Sequence, residues 1–424
     1  VYPLPLTNLL VRTGLAGLLP AVRRRLGGGT ACLRYWSNRL LASPLAELER
    51  VAAALESPGP EVIDLGLGAP RFDLLPSATT KLPADRRGWP PPGGLAELRQ
   101  EVARKLSDDH CIRADSRDEV LITDGALGGV RAAVDALLNR GDRVVLLDPG
   151  SPLHSLAARA RGARVRWVTS WVDGGRTRFR FDRLARALAG ARLLILQSPA
   201  NPTGGQLDAE DLEQIAWLAE RRDVLIVSDE VFERYHYEGE PVSIGALPRA
   251  RQRTLTVGSV SKGHALAWAR VGWLAACRDL LRPCALAAAL CRPFVPTLSQ
   301  QLALAALRSG HDAFEPVRAG FASRRRYAYE RLRAVGLNPA WPGGAFFLWV
   351  PVWELGLSGR DFAEGLLRQM KVAVTPGDIF GPSGPGYVRL SYADDGRLHD
   401  GLGRLAEYVA ALRASHGAVA RQAA

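Results

Sequence analysis

Between residues 120 and 276, seven short apolar runs alternate with amphipathic stretches. The runs span 120–123, 143–147, 164–168, 192–197, 224–228, 254–258 and 271–275, and the stretches between them include 126–138, 181–188 and 208–221. Runs this apolar at consecutive positions belong to strands covered on both faces. Such strands, joined by helices, predict an α/β domain: a mainly parallel seven-stranded sheet with helices on both faces. Helical patterns at 299–308 and 314–334 lead into a second region, where 345–350, 372–375 and 387–392 read as strands and 359–369 as a helix. That pattern gives a smaller α+β domain. A chain of 424 residues can bury two such cores. The expected division is 76–315 for the large domain, with 47–75 joining 316–424 in the small one.

Residues 1–46 stand apart, because the first acidic residue is Glu47. Their apolar and basic composition is like that of a targeting extension, yet no apolar stretch suits secretion or a membrane span. The favoured reading is an N-terminal arm that packs on a partner subunit. The net charge is +12, from 55 basic and 43 acidic residues. The arginines are scattered, with no zinc finger, RNP motif or long basic run, so no nucleic-acid partner is expected and anionic small molecules are. Five cysteines without a CxxC pair suit a reduced cytoplasm. Seven dispersed histidines without HExxH spacing predict no metal site.

Ligands of doubly wound sheets bind beyond the carboxyl ends of the strands, and the polar signals fall at that edge. The run at 192–197 is followed by Ser-Pro-Ala-Asn-Pro-Thr-Gly (198–204), that at 224–228 by Asp229-Glu230, and that at 254–258 by Ser-Val-Ser-Lys (259–262). The run at 120–123 enters Asp-Gly-Ala-Leu (124–127), a glycine opening a helix. Only four lysines occur, at 81, 105, 262 and 371, and a Schiff base to a carbonyl needs a lysine amine, which a permanently charged guanidinium cannot replace. Lys262 is therefore the candidate nucleophile.

The groups around Lys262 suit the parts of pyridoxal 5′-phosphate. Backbone N–H groups at Gly125, Ala126 and Leu127 open a helix and favour a phosphate. Arg270, Ser259 and Ser261 add charge and hydroxyl donors. Asp229 suits a protonated pyridine nitrogen, which the ring needs to act as an electron sink, and Asn201 suits the ring's 3′ oxygen. Singly, each has a bland reading: Asn-Pro-Thr-Gly as a turn, Asp229 as a helix cap, Ser-x-Ser-Lys as a surface tetrapeptide. Their order and strand-end placement are what carry the assignment.

With these motifs the chain resembles the class I and II aminotransferases, the aspartate-aminotransferase-like family of fold type I, over nearly everything after residue 60. The resemblance implies a homodimer that moves an amino group between an α-amino acid and a 2-oxo acid through a Lys262 Schiff base. It also implies the cofactor roles above, Gly68 and Asn201 near the substrate, and Arg389 in Tyr-Val-Arg-Leu-Ser-Tyr (387–392) as the grip on the α-carboxylate. Three positions depart from the family pattern. Ser151 replaces the aromatic that stacks on the ring. Phe232 replaces a tyrosine that donates to the 3′ oxygen, so the resting aldimine is expected to hold its proton to higher pH. Trp89 replaces the tyrosine that reaches the phosphate across the dimer.

Sister chemistries on the same scaffold, β-elimination (a C–S lyase) or cyclisation, use the same Lys262 and stay open at this stage. A non-catalytic pyridoxal-phosphate-binding regulator would need a DNA-binding segment, and the first 60 or so residues show no helix-turn-helix pattern. Trp89, Trp268, Trp273, Trp341, Phe346 and Phe347 fall near site-forming segments and suggest an apolar or aromatic substrate pocket. Core packing is the competing fate of such rings.

Overall fold

The structure, a computed structural model, describes residues 62–66, 70–72, 88–310, 312–394 and 396–422. The expectations for 1–46 and for Gly68 lie outside these residues. After a short strand β1 (Ile63–Asp64) come the strands of the main sheet. They are β2 (Val120–Thr123), β3 (Arg143–Asp148), β4 (Arg164–Asp173), β5 (Arg176–Phe179), β6 (Leu193–Gln197), β7 (Leu225–Asp229), β8 (Thr254–Ser259) and β9 (Gly272–Ala275). Their order is β2-β9-β8-β7-β6-β3-β4-β5. Neighbours from β8 through β4 pair in parallel, whereas β9 runs antiparallel to both β2 and β8.

The sheet thus has eight strands where seven were expected. The addition is β5, an edge strand that folds back antiparallel on β4. Along Arg176–Phe179 exposure alternates, and β4 itself runs to Asp173 with an exposed face. A half-exposed ribbon lacks the continuous apolar run that marks the central strands, so periodicity missed it. Gly174 and Gly175 make the turn, both with positive φ. The helix at Ala209–Arg221 begins where Asp208 accepts a hydrogen bond from the Asp211 amide at 2.9 Å, a regular N-cap.

The second region contains β10 (Phe347–Pro351), β11 (Val372–Ala373), β12 (Thr375–Pro376) and β13 (Tyr387–Ser391). The single strand expected at 372–375 is split at Val374, because its halves serve different sheets. β11 pairs in parallel with β1, while β12 and β10 flank β13 antiparallel. Ile63 and Leu65 are buried in one core with Leu348, Phe362, Leu390 and Leu402. The main sheet has its own apolar layers, of which Val144, Leu193, Val227 and Leu255 form part. Leu255 and Val227, for example, are fully buried.

Candidate active site

The carboxyl ends of β6, β7 and β8, the start of the helix Gly125–Leu137 and the face of β13 surround a cavity of about 270 Å³. Ala126, Leu127, Asn201, Asp229, Phe232, Ser259, Ser261, Lys262, Arg270 and Arg389 all line it. These groups come from five separate stretches of sequence.

Lys262 lies in the single helical turn Val260–Gly263, opened by Ser259, whose side chain accepts from the Ser261 amide. The backbone of this turn is held from behind. The Tyr235 hydroxyl donates to the Lys262 carbonyl at 2.8 Å, and the Arg234 guanidinium donates to the Gly263 carbonyl at 3.1 Å. Burial, reinforced by the positive charges of Arg389 and Arg270, pulls the Lys262 amine down to about 8. A desolvated amine beside other cations is a stronger candidate nucleophile than an exposed one, because a larger fraction is neutral near physiological pH.

Arg270 adopts a left-handed backbone, φ 55°. Such a conformation costs a non-glycine residue on the order of 1–2 kcal/mol, and residues held that way cluster at functional sites. Its guanidinium packs over Gly125, where any Cβ would come within 2.5 Å of Nη2. Gly125 is itself left-handed, φ 65°, so the position suits glycine on both counts. The cation and the helix N-terminus therefore share one corner of the cavity. A phosphate there would meet both.

Asp229 closes β7 and is buried. Its Oδ2 accepts from His154 Nε2 and from Gln197 Nε2, each at 2.8 Å, and its Oδ1 accepts from the Val231 amide at 3.2 Å. Neither side-chain partner was assigned this role from sequence. Gln197 did carry a signal, since it ends β6 directly opposite Asp229 in the parallel register.

Arg389 is buried in the middle strand of the small sheet, between Trp349 and Thr375. Nη1 donates to Asn201 Oδ1 at 2.8 Å, and Nη2 to the Gly66 carbonyl at 2.5 Å and Thr375 Oγ1 at 3.3 Å. Nε has no hydrogen-bond partner among the described residues. The rings of Phe347 and Phe380 lie 4.4 and 5.1 Å from the guanidinium carbon. Burial lowers this guanidinium to about 10, against the opposing charge of Asp64, which leaves it a cation at neutral pH.

The departures also have places. Ser151 lines the cavity and precedes the helix Pro152–Ala160. Phe232 is buried edge-on against Phe346 and Phe347. Trp89 is not brought into this cavity: it is 84% exposed and rests on Phe294. Of the six aromatics read as pocket candidates, Phe347 alone lines the cavity. Trp273 is core, under Gly258, Trp341 lies on Arg325, and Trp268 faces solvent. The rest of the apolar wall is supplied by Ile379, Phe380 and Leu153.

Two features decide whether this donor set suits a pyridoxal phosphate. The lack of a side chain at Gly125 lets the Arg270 guanidinium lie against the helix N-terminus, and Arg389 keeps an unpartnered buried N–H. An anionic end, a ring nitrogen and a carboxylate each find a matching group. The donor set fits. Comparison with known proteins agrees, since the family described as aminotransferase class I and II matches residues 60–405. The chain belongs to that family.

A putative aminotransferase, YugH, of Bacillus subtilis is 31% identical over 90% of this chain and 99% of its own. An aspartate aminotransferase of Pyrococcus abyssi is 32% identical over 83% of this chain and 91% of its own. Among solved structures, the aspartate aminotransferase of Thermus thermophilus with maleate superposes with a TM-score of 0.80. It is 30% identical and the match covers 88% of this chain and 99% of that one. The chain is an aminotransferase of the pyridoxal-phosphate-dependent, fold type I kind.

Proposed function

We propose that the cavity holds pyridoxal 5′-phosphate attached to Lys262 Nζ, and that the protein moves an amino group between an α-amino acid and a 2-oxo acid. One observation carries this reading: the depressed Lys262 amine shares a cavity with Asp229, Asn201, Arg270 and Arg389. Gly125, Ala126, Leu127, Ser259, Ser261 and Arg270 would take the phosphate, Asp229 the ring nitrogen and Asn201 the 3′ oxygen. Because Asn201 turns its Oδ1 to Arg389, its amide N–H groups are left to donate elsewhere. Bound there, the cofactor supplies an electron sink for the substrate's α-carbon. Arg389 would grip the α-carboxylate, Lys262 Nζ, once the substrate's amine has taken its place on the cofactor, would carry the proton away from Cα, and Ile379 with Phe380 would exclude water from that side.

We further propose a division into a large cofactor domain (76–315) and a small domain (47–75 with 316–424), supported by their separate sheets, with Phe232, Tyr235 and Phe314 of the large one packing into the core of the small one. A second copy of the chain covers the face bearing Trp89, Leu286, Leu290 and Leu298, all exposed, since a homodimer is the simplest closed assembly. Trp89 then serves the neighbouring cavity. A cytoplasmic setting goes with the cysteines that are free among the described residues, Cys111, Cys277, Cys284 and Cys291. No described helix is long and apolar enough to cross a membrane.

Borohydride reduction followed by peptide mass spectrometry is expected to find a pyridoxyl group on Lys262. An amino-acid panel is expected to convert the bound cofactor stoichiometrically to its pyridoxamine form. Pyruvate and ammonia without that conversion would replace transamination by elimination. A label on another lysine would end the assignment. A fully active monomer would remove the dimer and the role of Trp89.

A further inference from the structure

The buried charges at the two ends of the cavity are joined through two uncharged residues, Asn201 and Gln197. Gln197 ends β6 in register with Asp229 at the end of β7. Its Oε1 accepts from the Asn201 backbone amide at 3.1 Å, and its Nε2 donates to Asp229 Oδ2 at 2.8 Å. The orientation of this carboxamide is fixed by its partners. A backbone N–H requires an oxygen, and a carboxylate requires an N–H, so the opposite flip would lose both bonds. Asn201 in turn receives Arg389 Nη1 on its side-chain oxygen at 2.8 Å. A continuous series therefore runs from the Arg389 guanidinium through Asn201 and Gln197 to Asp229.

We propose that Gln197 is a positioning residue that sets the orientation of Asp229 and the placement of Asn201 together. Oδ2 of Asp229 is filled by Gln197 and His154. A carboxylate accepts about four hydrogen bonds in all. With Oδ2 occupied, Oδ1, which meets only the Val231 amide among the described residues, is the oxygen left to meet a ring nitrogen. Gln197 is half-buried at the cavity rim, so a change of its end group is tolerated by the fold more readily than a change in the core. This role rests on the pyridoxal-phosphate reading above.

Two variants of nearly equal volume separate positioning from space-filling. Gln197→Leu removes both hydrogen bonds. Gln197→Glu keeps the acceptor for Asn201 but sets a second carboxylate against Asp229, where two carboxylates hold one proton between them. Both are to be loaded with pyridoxal phosphate, and its dissociation constant and the pH dependence of its visible absorption followed. Each variant is expected to weaken the cofactor by about 10- to 100-fold, the range for a hydrogen bond to a charged group. In Gln197→Glu the pH at which the band changes is also expected to move, by at least about half a unit, since the proton between the carboxylates titrates with it. Wild-type affinity and a wild-type pH curve in both variants would overturn the proposal, while a Lys262 adduct in the same samples would leave the cofactor reading intact. A wild-type protein that takes up no pyridoxal phosphate would remove both.

Discussion

The two sides of the cavity are built differently. The floor is the end of a parallel sheet: Gln197, Asp229 and Ser259 are last residues of adjoining strands, and each is held by its neighbours' ladder. The wall carries Arg389, on a small separate sheet, with Ile379 and Phe380 on a short turn beside it. That turn is pinned to the main sheet by few bonds. Gly150 donates to the Phe380 carbonyl at 2.8 Å, and Ser383 donates through its amide and hydroxyl to Asp148. The floor is thus fixed by continuous register and the wall by point contacts. A reaction that must admit and release two different substrates needs only the second to yield.

The largest effect is expected where the wall holds charge. Arg389→Gln should lower kcat/KM for an amino donor by about 10²–10³-fold, as for loss of a buried charged partner. Cofactor retention should hold, and equal losses of both would mean floor and wall are not separable. Next comes the floor's foundation. Glu233 pairs with Lys105 at 2.7 Å and with His110 at 2.5 Å in a buried cluster behind the site. Glu233→Gln should cost roughly 3–5 kcal/mol in unfolding measurements, the usual result of breaking a buried pair on one side.

The His110 contribution has a definite sign. Burial acts to lower its pKa, but the Glu233 charge and hydrogen bond raise it above the ordinary value. Its stabilisation is therefore complete below about pH 6.5 and is lost as pH rises through the raised folded value. Melting temperatures across that window should show this slope in the wild type and not in Glu233→Gln.

Lys262 gives the opposite slope. Its folded pKa is lowered to about 8 from 10.5, chiefly by burial, so the unfolded chain binds more protons between those values and stability rises with pH there. In cofactor-free protein, Lys262→Met should be more stable at pH 7 by up to about 3 kcal/mol. The gain should shrink as pH climbs from 8 towards 10.5, and a pH-independent difference would refute the burial account. The smallest effect belongs to the pin on the wall. Ser383→Ala should raise KM about threefold to tenfold, for roughly 1 kcal/mol of lost hydrogen bonding, with cofactor affinity unchanged. Since burial already raises the Asp148 carboxyl against the opposing Ser383 hydrogen bonds, removing them should move any pH dependence of KM that follows this carboxyl to higher pH.

This contrast also explains what could be read in the sequence. Lys262, Asp229, Asn201 and Arg270 stand beside apolar runs, so the strand ends point directly to them. Ile379 and Phe380 are not placed by a strand end of the main sheet: the contact that holds their turn spans from Asp148 to Ser383. Of the partners of Arg389 other than Asn201, Gly66 is remote in sequence and Thr375 is ordinary in type. The edge strand β5 escaped because one of its faces meets solvent. The aromatic count misled for a different reason: Trp273 fills space over Gly258, which is too small to fill it alone.

The reversal of β9 has one further result. Ser259 pairs with Gly272 across the antiparallel β8–β9 ladder, so the excursion from 260 to 271 leaves and rejoins the sheet at the same edge. Lys262 lies just after its departure and Arg270 just before its return. The amine and the Arg270 guanidinium are thereby the two prongs of a single staple whose base is the sheet itself, so the span between them is set by β8 and β9 and not by the neighbouring small sheet.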